Sequence, residues 1–264
     1  MTHFTAEQID ALAAVHAAWP HRPIRLIGAA ALGYHIPMDW RRTSDLDLTL
    51  AADFDELDAS LARLPGWRRE PRIEHRWWSP EGVKVDIVPA APHHLAKGSI
   101  TWPVSGYEMS VEGLELAFQH AVEARLSATT VVSIARLPAL VVLKMAAWQD
   151  SEGRERERDL ADIAHVFDRH LGPTDDRRYG EDVCESGLSY DHVGAFVMGR
   201  EVAGIVQPKH RAKVMRFLDL VEDPSTPAFN DMLRLGPSAW RRDQDDPEEE
   251  LASRLAAFRL GLGP

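Results

Sequence analysis

The stretch Arg41-Arg42-Thr43-Ser44-Asp45-Leu46-Asp47-Leu48 says most about the fold and chemistry of this chain. A β-strand here places Asp45 and Asp47 on one face and the alternating leucines on the other. Residues two apart on a strand lie about 6.6 Å apart along its axis, so both carboxylates can converge on bound metal ions. Hard oxygen ligands favour Mg²⁺ or Mn²⁺, and Mg²⁺ usually adds phosphate oxygens and water to its carboxylates. The pair therefore predicts a magnesium (or manganese) site that binds a triphosphate.

An isolated pair of alternating aspartates is more often the solvated face of an edge strand. Two further features favour the functional interpretation. The β-prone run Ile24-Arg25-Leu26-Ile27 ends at Gly28, and the alanines that follow favour a helix. Such a turn exposes backbone N–H groups at a helix N-terminus, where phosphate can bind. Asp86 lies on a second segment of alternating apolar residues, 83–88. It can complete a three-carboxylate cluster, as a metal ligand or as the base for an acceptor hydroxyl.

The rest of the chain divides into a mixed half and a helical half. In the first half, the spacing predicts a helix over residues 5–19, a helix over 114–124 and a β-prone segment over 129–135. Residues 73–79 are expected to pair with the second alternating segment through the turn Pro80-Glu81-Gly82, as an antiparallel hairpin. Helical periodicity then covers residues 138–149, 159–170, 191–203, 208–221 and 248–260. We therefore expect a core domain over residues 1–135 and a helical C-terminal domain over residues 136–264.

Composition excludes several classes of protein. The 264 residues are 45% hydrophobic and 27% charged, which is typical of a folded globular chain. The 30 basic and 41 acidic residues give a net charge of −11, which disfavours non-specific nucleic-acid binding and favours a narrow basic channel. Cys184 is the only cysteine, which excludes intramolecular disulfides and cysteine-based zinc clusters. The short apolar runs and the absence of a signal pattern predict a cytoplasmic protein with no membrane contact.

Three motifs together resemble a known family. They are Leu26-Ile27-Gly28-Ala29-Ala30-Ala31-Leu32, Arg41-x-Thr43-x-Asp45-Leu46-Asp47-Leu48 and Val85-Asp86-Ile87-Val88, with His35 between the first two. The pattern is similar to the nucleotidyltransferase superfamily related to DNA polymerase β. Within it, the chain is most similar to the AbiEii-like group, which includes toxins of type IV toxin–antitoxin systems. The resemblance runs from about residue 24 to residue 218 and is strongest in the first 90 residues.

The resemblance implies a role for each of these motifs. Asp45 and Asp47 would hold Mg²⁺ as catalytic metal ligands, and Asp86 would be the third acid. The turn at Gly28 and Ala29 would hold the nucleoside triphosphate, and we also assign Arg41 and Thr43 in the second motif to nucleotide binding. A side chain at Gly28 is expected to stand between the backbone of the turn and the phosphate. The family usually has Gly-Gly or Gly-Ser at this turn, so Ala29 removes a hydroxyl contact to phosphate.

Lys144 is the one charged residue in the apolar helical segment of residues 139–148. Its ammonium should either reach solvent along the helix surface or meet an anion. The resemblance implies that Lys144 is catalytic and binds phosphate, in which case Lys144→Met should preserve or raise stability. Asp159 and Asp162 follow at a spacing of three on the next helix, where acids near a helix start are also typical of a solvated face. The resemblance implies that one of them orients Lys144 or the acceptor, and we assign that catalytic role to Asp159.

Other residue clusters have simpler interpretations. Trp77, Trp78 and Trp102 could stack on a base, but tryptophans in a β-rich region more often pack in the core. His35, His93 and His94 could bind metal. Because adjacent residues point in different directions on a strand or a helix, we do not expect His93 and His94 to share a ligand role.

These observations predict an α/β (α+β) protein with a small mixed, twisted nucleotidyltransferase sheet and a helical C-terminal lobe. The predicted reaction is the Mg²⁺-dependent transfer of a nucleoside monophosphate from an NTP to an acceptor hydroxyl. The toxin-like resemblance implies an RNA end, such as the tRNA acceptor end, as the acceptor and an antitoxin protein as a partner. Ala29 leaves open a catalytically silent nucleotide- or partner-binding module. The same carboxylates would also suit a metal-dependent phosphohydrolase.

Overall fold

The computed structural model describes residues 4–242 and 246–264, and these residues divide into two compact units. The first unit ends at Leu140 and the second begins at Val141. No helix in the described ranges combines the length and apolar character that a membrane crossing requires.

The first unit is built on a seven-stranded sheet. Its strands are β1 (Ile24–Ile27), β2 (Leu46–Leu50), β3 (Arg68–Arg69), β4 (Arg76–Trp78), β5 (Lys84–Pro89), β8 (Ala121–Arg125) and β9 (Val131–Ala135), and β6 (Ser99–Thr101) and β7 (Glu108–Ser110) form a separate hairpin. The helices are α1 (Ala6–Ala18), α2 (Gly28–His35), α3 (Phe54–Leu61), α4 (Pro92–Lys97) and α5 (Leu114–Gln119). The strand order is β3-β4-β5-β2-β1-β9-β8. The sheet is mixed, because β2 pairs with β5 and β1 with β9 in parallel while the other pairs are antiparallel.

Strand β2 lies inside this sheet, between β5 and β1. Its alternation follows the predicted pattern, since Leu46 and Leu48 are buried while Asp47 between them is partly exposed. Two flanking strands satisfy its backbone groups on both sides. The pair of aspartates therefore does not lie on an edge strand, and that alternative is wrong.

The helix predicted over residues 114–124 is wrong in its second half. Helix α5 ends at Gln119, and residues 121–125 form β8, which pairs antiparallel with β9 from Ala121↔Ala135 to Arg125↔Val131. Alanine and glutamate at these positions suggest a helix, but their intrinsic preference is weak. Pairing with β9 and burial of Ala124 decide the conformation instead.

The described residues of the second unit form helices and the loops that join them, with no strand. Its helices are α6 (Leu137–Asp150, which starts before the boundary), α7 (Gly153–Arg169), α8 (Glu181–Glu185), α9 (Val193–Ala203), α10 (Pro208–Val221), α11 (Pro227–Leu235), α12 (Ala239–Arg242) and α13 (Pro247–Leu262), with short 3-10 helices at Asp176–Tyr179 and Tyr190–His192. Helices α9 and α13 cross at Gly199 and Gly261. A Cβ on Gly199 would meet the carbonyl of Phe258, and one on Gly261 would meet that of Phe196. The two glycines therefore let the helix backbones touch.

The mixed α/β fold class predicted from the sequence is confirmed, with a mixed sheet in the first unit and helices in the second. The predicted hairpin is also confirmed, because β4 pairs antiparallel with β5 across the Pro80-Glu81-Gly82 turn.

Candidate active site

The register of two parallel strands brings the acidic side chains together. Asp47 on β2 lies directly beside Asp86 on β5, so their side chains leave the same face of adjacent strands. Neighbouring strands are about 4.8 Å apart, which places both carboxylates within reach of one ion. Asp45, two residues before Asp47, contacts Lys84, two residues before Asp86. We call Asp45, Asp47 and Asp86 the acidic cluster.

Two basic side chains partly neutralise the acidic cluster. Strand β4 pairs Arg76 with Asp86, and the guanidinium donates hydrogen bonds of 2.8 and 2.9 Å to the two oxygens of Asp86. Lys84 forms an ion pair with Asp45. Hydrogen bonding to Asp86 raises the pKa of Arg76 above its ordinary value against the effect of burial, and the charges of Asp86, Asp45 and Asp47 add to the rise. All three carboxylates therefore act on one guanidinium.

Gly28 lies against the acidic cluster where β1 passes into α2. Its φ is +68°, a left-handed conformation that favours glycine. A Cβ on Gly28 would lie 2.7 Å from Cγ and 2.8 Å from Cβ of Asp47, too close for either atom. Ile27, the N-cap residue of α2, makes no side-chain capping hydrogen bond. The first N–H groups of this helix lie beside the Asp47 carboxylate.

The other residues assigned to nucleotide binding have less regular surroundings. Ala29 is buried, with 6% of its surface exposed, and its methyl side chain has no hydrogen-bonding atom. Arg41 and Thr43 lie in the segment without regular structure that leads into β2, and both are partly exposed. Arg41 has an interaction partner in the protein.

Lys144 on α6 forms a buried ionic cluster in the second unit. Its Nζ lies 2.9 Å from Oδ1 of Asp159 and 2.8 Å from Oδ2 of Asp162, and both acids belong to α7. Burial opposes the charged form of Lys144, but the two carboxylates outweigh it and raise the pKa of the ammonium above its ordinary value. Asp162 is completely buried. The ammonium therefore meets anions, as one of the two sequence alternatives predicted, and binds both acids rather than one.

Sequence reasoning missed Arg76 and Lys84, although the signals for them are present. Lys84 precedes Asp86 by two residues, so alternation alone places both on one face of β5. Arg76 lies on the strand predicted to pair with β5, and counting back from the Pro80-Glu81-Gly82 turn places it opposite Asp86. A hairpin register needs an assumed turn length, which is why Arg76 is harder to find.

The aromatic side chains and His35 have structural contacts. Trp77 and Trp102 are buried, and Trp102 packs edge-on against Phe54 with ring centroids 5.2 Å apart. Partly exposed Trp78 donates a hydrogen bond from its indole to Glu70. The ring of His35 hydrogen-bonds the carbonyl of Ala135 at 2.7 Å. Core packing is thus the observed role of the two buried tryptophans.

The side chains of His93 and His94 converge, and the expectation that they point apart is wrong. Their ring centroids are 4.1 Å apart, and each Nε2 faces the carboxylate of Asp53. Adjacent residues at a helix start differ by only about 100° in direction, which long side chains can overcome by rotation.

No protein-family profile matches the chain, and no curated protein matches it either. Solved structures similar to it include an antigenic nucleotidyltransferase-like protein from Paracoccidioides brasiliensis, at 17% identity and a TM-score of 0.39 over 61% of this chain and 75% of that one. The antibiotic-resistance factor ANT(2'')-Ia is 15% identical, with a TM-score of 0.40 over 81% of this chain and 96% of its own. JHP933 from Helicobacter pylori is 12% identical, with a TM-score of 0.40 over 98% and 94%. The proposed function therefore rests on the chain's own residues.

Proposed function

We propose that this protein is a divalent-metal-dependent nucleotidyltransferase. It would transfer a nucleoside monophosphate from an NTP to an acceptor hydroxyl and release pyrophosphate. The observation that carries the proposal is the position of Asp47, which lies beside Asp86 in the sheet and against Gly28 at the start of α2. Metal-binding carboxylates and the backbone donors of a phosphate site thus meet at one point.

The acidic cluster fits Mg²⁺ (or Mn²⁺) by its donor chemistry. Its donors are carboxylate oxygens on one face of two adjacent strands, and hard cations prefer such ligands. Asp45, Asp47 and Asp86 would hold the metal. When bound, Mg²⁺ would polarise the phosphate oxygens and lower the pKa of the acceptor hydroxyl. Without the metal, Lys84 pairs with Asp45 and Arg76 pairs with Asp86.

The start of α2 would bind the triphosphate. Its first N–H groups have no acceptor inside the helix, and the helix dipole places partial positive charge at this end. Ala29 would contribute through its backbone N–H, because its methyl side chain has no hydrogen-bonding atom. We assign Arg41 and Thr43 to further nucleotide contacts because they lie in the segment that leads to Asp45.

Asp86 would act as a metal ligand or as the base for the acceptor hydroxyl. Both of its oxygens accept hydrogen bonds from Arg76. Each carboxylate oxygen has a second lone pair, so the contact with Arg76 leaves either role open. Arg76 would orient Asp86 beside Asp47.

The sequence resemblance supports the finer part of the proposal. Similarity to the AbiEii-like group favours an RNA end, such as the tRNA acceptor end, as the acceptor. It also favours an antitoxin protein as a partner. The net charge of −11 means that an RNA substrate would need a local basic channel, for which Arg41 and Arg42 beside the acidic cluster are candidates.

The test is incorporation of label from each α-labelled NTP into total RNA, purified tRNA or the protein itself. We expect Mg²⁺-dependent labelling of RNA that falls to background in Asp47→Asn, because the carboxamide keeps the shape but loses the charge that binds the cation. Asp10→Asn is the matched control, since Asp10 is exposed on α1 and distant in sequence from the acidic cluster. Circular dichroism should show that both variants are folded.

Each alternative gives a different result in the same experiment. Nucleotide binding without incorporation would identify a silent binding module. Release of free phosphate without a labelled product would identify a phosphohydrolase. Labelling of the protein but not of RNA would support nucleotidyl transfer and refute RNA as the acceptor. Normal labelling by Asp47→Asn would remove Asp47 from the mechanism.

A further inference from the structure

Asp53, His93 and His94 form a second cluster of metal-ligand side chains, beyond the carboxyl ends of β2 and β5. These strands run in parallel, with Leu50 at the end of β2 beside Pro89 at the end of β5. Asp53 follows Leu50 by three residues, and the two histidines follow Pro89 by four and five. Segments that leave neighbouring parallel strands start side by side, which brings these three residues together.

The ligand atoms of this cluster are spaced as in a slightly open metal site. Nε2 of His93 lies 3.7 Å from one oxygen of Asp53, and Nε2 of His94 lies 3.5 Å from the other. All three ligand atoms lie within 4.8 Å of one another. In tetrahedral zinc sites, bonds of about 2.0–2.1 Å place the ligand atoms about 3.3 Å apart. Side-chain movements of a few tenths of an ångström to about one ångström would close the site.

The three groups converge without hydrogen bonds of ordinary length between them. Both Nε2–oxygen distances exceed the usual 3.2 Å limit of an N–H···O hydrogen bond. The Asp53 carboxylate is instead held by the backbone N–H of Phe54, which donates to it at 2.9 Å and makes Asp53 the N-cap of α3. A cation between the three groups would satisfy atoms that face one another across a gap.

The surroundings suit a cation that enters from solvent. The side chains of Asp53 and His93 are 55% and 64% exposed, whereas that of His94 is only 9% exposed and packs on Phe54. The exposed side of the cluster, formed by Asp53 and His93, leaves a path for the ion from solvent to the buried ring of His94.

We propose that Asp53, His93 and His94 bind one Zn²⁺ ion at a site distinct from the acidic cluster. Two imidazole nitrogens and one carboxylate oxygen are a ligand set that zinc accepts, whereas Mg²⁺ prefers oxygen ligands alone. Three protein ligands leave a fourth tetrahedral position for water or another ligand. The ion links the start of α3 to the start of α4, and thereby stabilises the segments that follow β2 and β5.

The experiment is calorimetric titration of the full chain with Zn²⁺ in excess Mg²⁺, which occupies hard oxygen sites. We expect one Zn²⁺ per chain and a higher melting temperature in its presence. Asp53→Asn and His93→Ala should each weaken binding at least about tenfold. Asparagine caps a helix as well as aspartate does, so Asp53→Asn should keep α3 intact. His21→Ala, at an exposed histidine of the same unit, is the matched control and should bind as the wild type does.

Cobalt gives an independent readout, because tetrahedral Co²⁺ absorbs strongly in the visible range. We expect this absorption in the wild type and in Asp47→Asn, and its loss in His93→Ala. The proposal is overturned if the wild type does not bind Zn²⁺. It is also overturned if folded Asp53→Asn and His93→Ala bind Zn²⁺ as tightly as the wild type does. Loss of Zn²⁺ binding in Asp47→Asn would place the ion in the acidic cluster and refute the second site.

Discussion

Gly28 shows at the level of one residue why the turn at the start of α2 needs glycine. The sequence predicts that a side chain here would block phosphate. In the structure, a Cβ on Gly28 would first collide with the side chain of Asp47. The missing side chain therefore makes room for the Asp47 carboxylate beside the helix start.

Gly28→Ala should destabilise the protein by more than the cost of its backbone conformation. Gly82→Ala is the matched control, because Gly82 has φ +82° and an added Cβ would meet nothing within 4 Å. Gly82→Ala should lower the free energy of unfolding, measured in urea, by about 1–2 kcal/mol, the penalty of a left-handed conformation. Gly28→Ala should lower it by more. The effect of Gly28→Ala should be smaller in an Asp47→Gly background, which lacks the side chain that the added Cβ would meet. Equal costs for Gly28→Ala and Gly82→Ala would show that Asp47 moves away freely.

Arg76 holds the charge balance of the acidic cluster when no metal is bound. Arg76→Gln should lower the free energy of unfolding by about 1.5–3 kcal/mol without Mg²⁺, since hydrogen bonds to a charged group are lost. The side chains of Arg76 and Asp86 are only 22% and 13% exposed, so solvent screens this pair weakly. Saturating Mg²⁺ should restore part of the loss, because the cation replaces positive charge that the variant lacks.

The measurement for Arg76 is urea unfolding with and without Mg²⁺. Arg68→Gln is the control, because Arg68 lies exposed on the neighbouring strand β3 and packs over the Trp78 ring rather than against the acidic cluster. Mg²⁺ should stabilise Arg76→Gln more than Arg68→Gln or the wild type. Equal stabilisation of all three would mean that Arg76 and the metal do not share the same carboxylates.

At the scale of elements, Lys144 joins helices α6 and α7 through two acids. The sequence predicts that Lys144→Met preserves or raises stability. The structure predicts the opposite, because methionine would remove the ammonium that contacts both Asp159 and fully buried Asp162. Removing one partner of a buried ionic group costs about 3–5 kcal/mol. The phosphate role that the resemblance implies for Lys144 stays a prediction.

Lys144→Met should therefore lower the free energy of unfolding by about 3–5 kcal/mol, as measured in urea. Lys209→Met, at an exposed lysine near the start of α10, is the control and should change stability by less than about 0.5 kcal/mol. Asparagine at both Asp159 and Asp162 should restore part of the loss, since it removes the negative charges that the ammonium balanced. Unchanged stability of Lys144→Met would show that the two acids find other partners.

At the scale of the whole molecule, the parallel pair of β2 and β5 organises two ligand clusters. The acidic cluster lies where this pair begins, at Asp47 and Asp86, and the Asp53–His93–His94 cluster lies beyond its carboxyl end. Between the two clusters, the strands carry buried apolar side chains, Leu48 on β2 and Ile87 on β5. One pair of adjacent strands can thus present separate sites at its two ends, each with its own donor chemistry.

Local periodicity in the sequence is enough to predict many of the elements and the strand faces. Alternation predicted the faces of β2 and β5, and a spacing of three to four predicted most helices, including α10 over residues 208–221. It also placed Asp47 and Asp86 on strand faces and Gly28 at a strand-to-helix turn, whereas Asp45, expected on the same strand face, lies just before β2. These predictions depend on neighbours within a few residues, and periods of 2 and 3.6 are visible in the chain itself.

Only the tertiary structure decided which strands are neighbours and in what register. Pairing between β8 and β9 overrode the helical preference of residues 121–125, and the hairpin register placed Arg76 on Asp86. Parallel pairing of β2 with β5 brought Asp53 to His93 and His94, although 40 residues or more separate them. The physical reason is that strand pairing and burial join residues far apart in the chain, and no local period records those contacts.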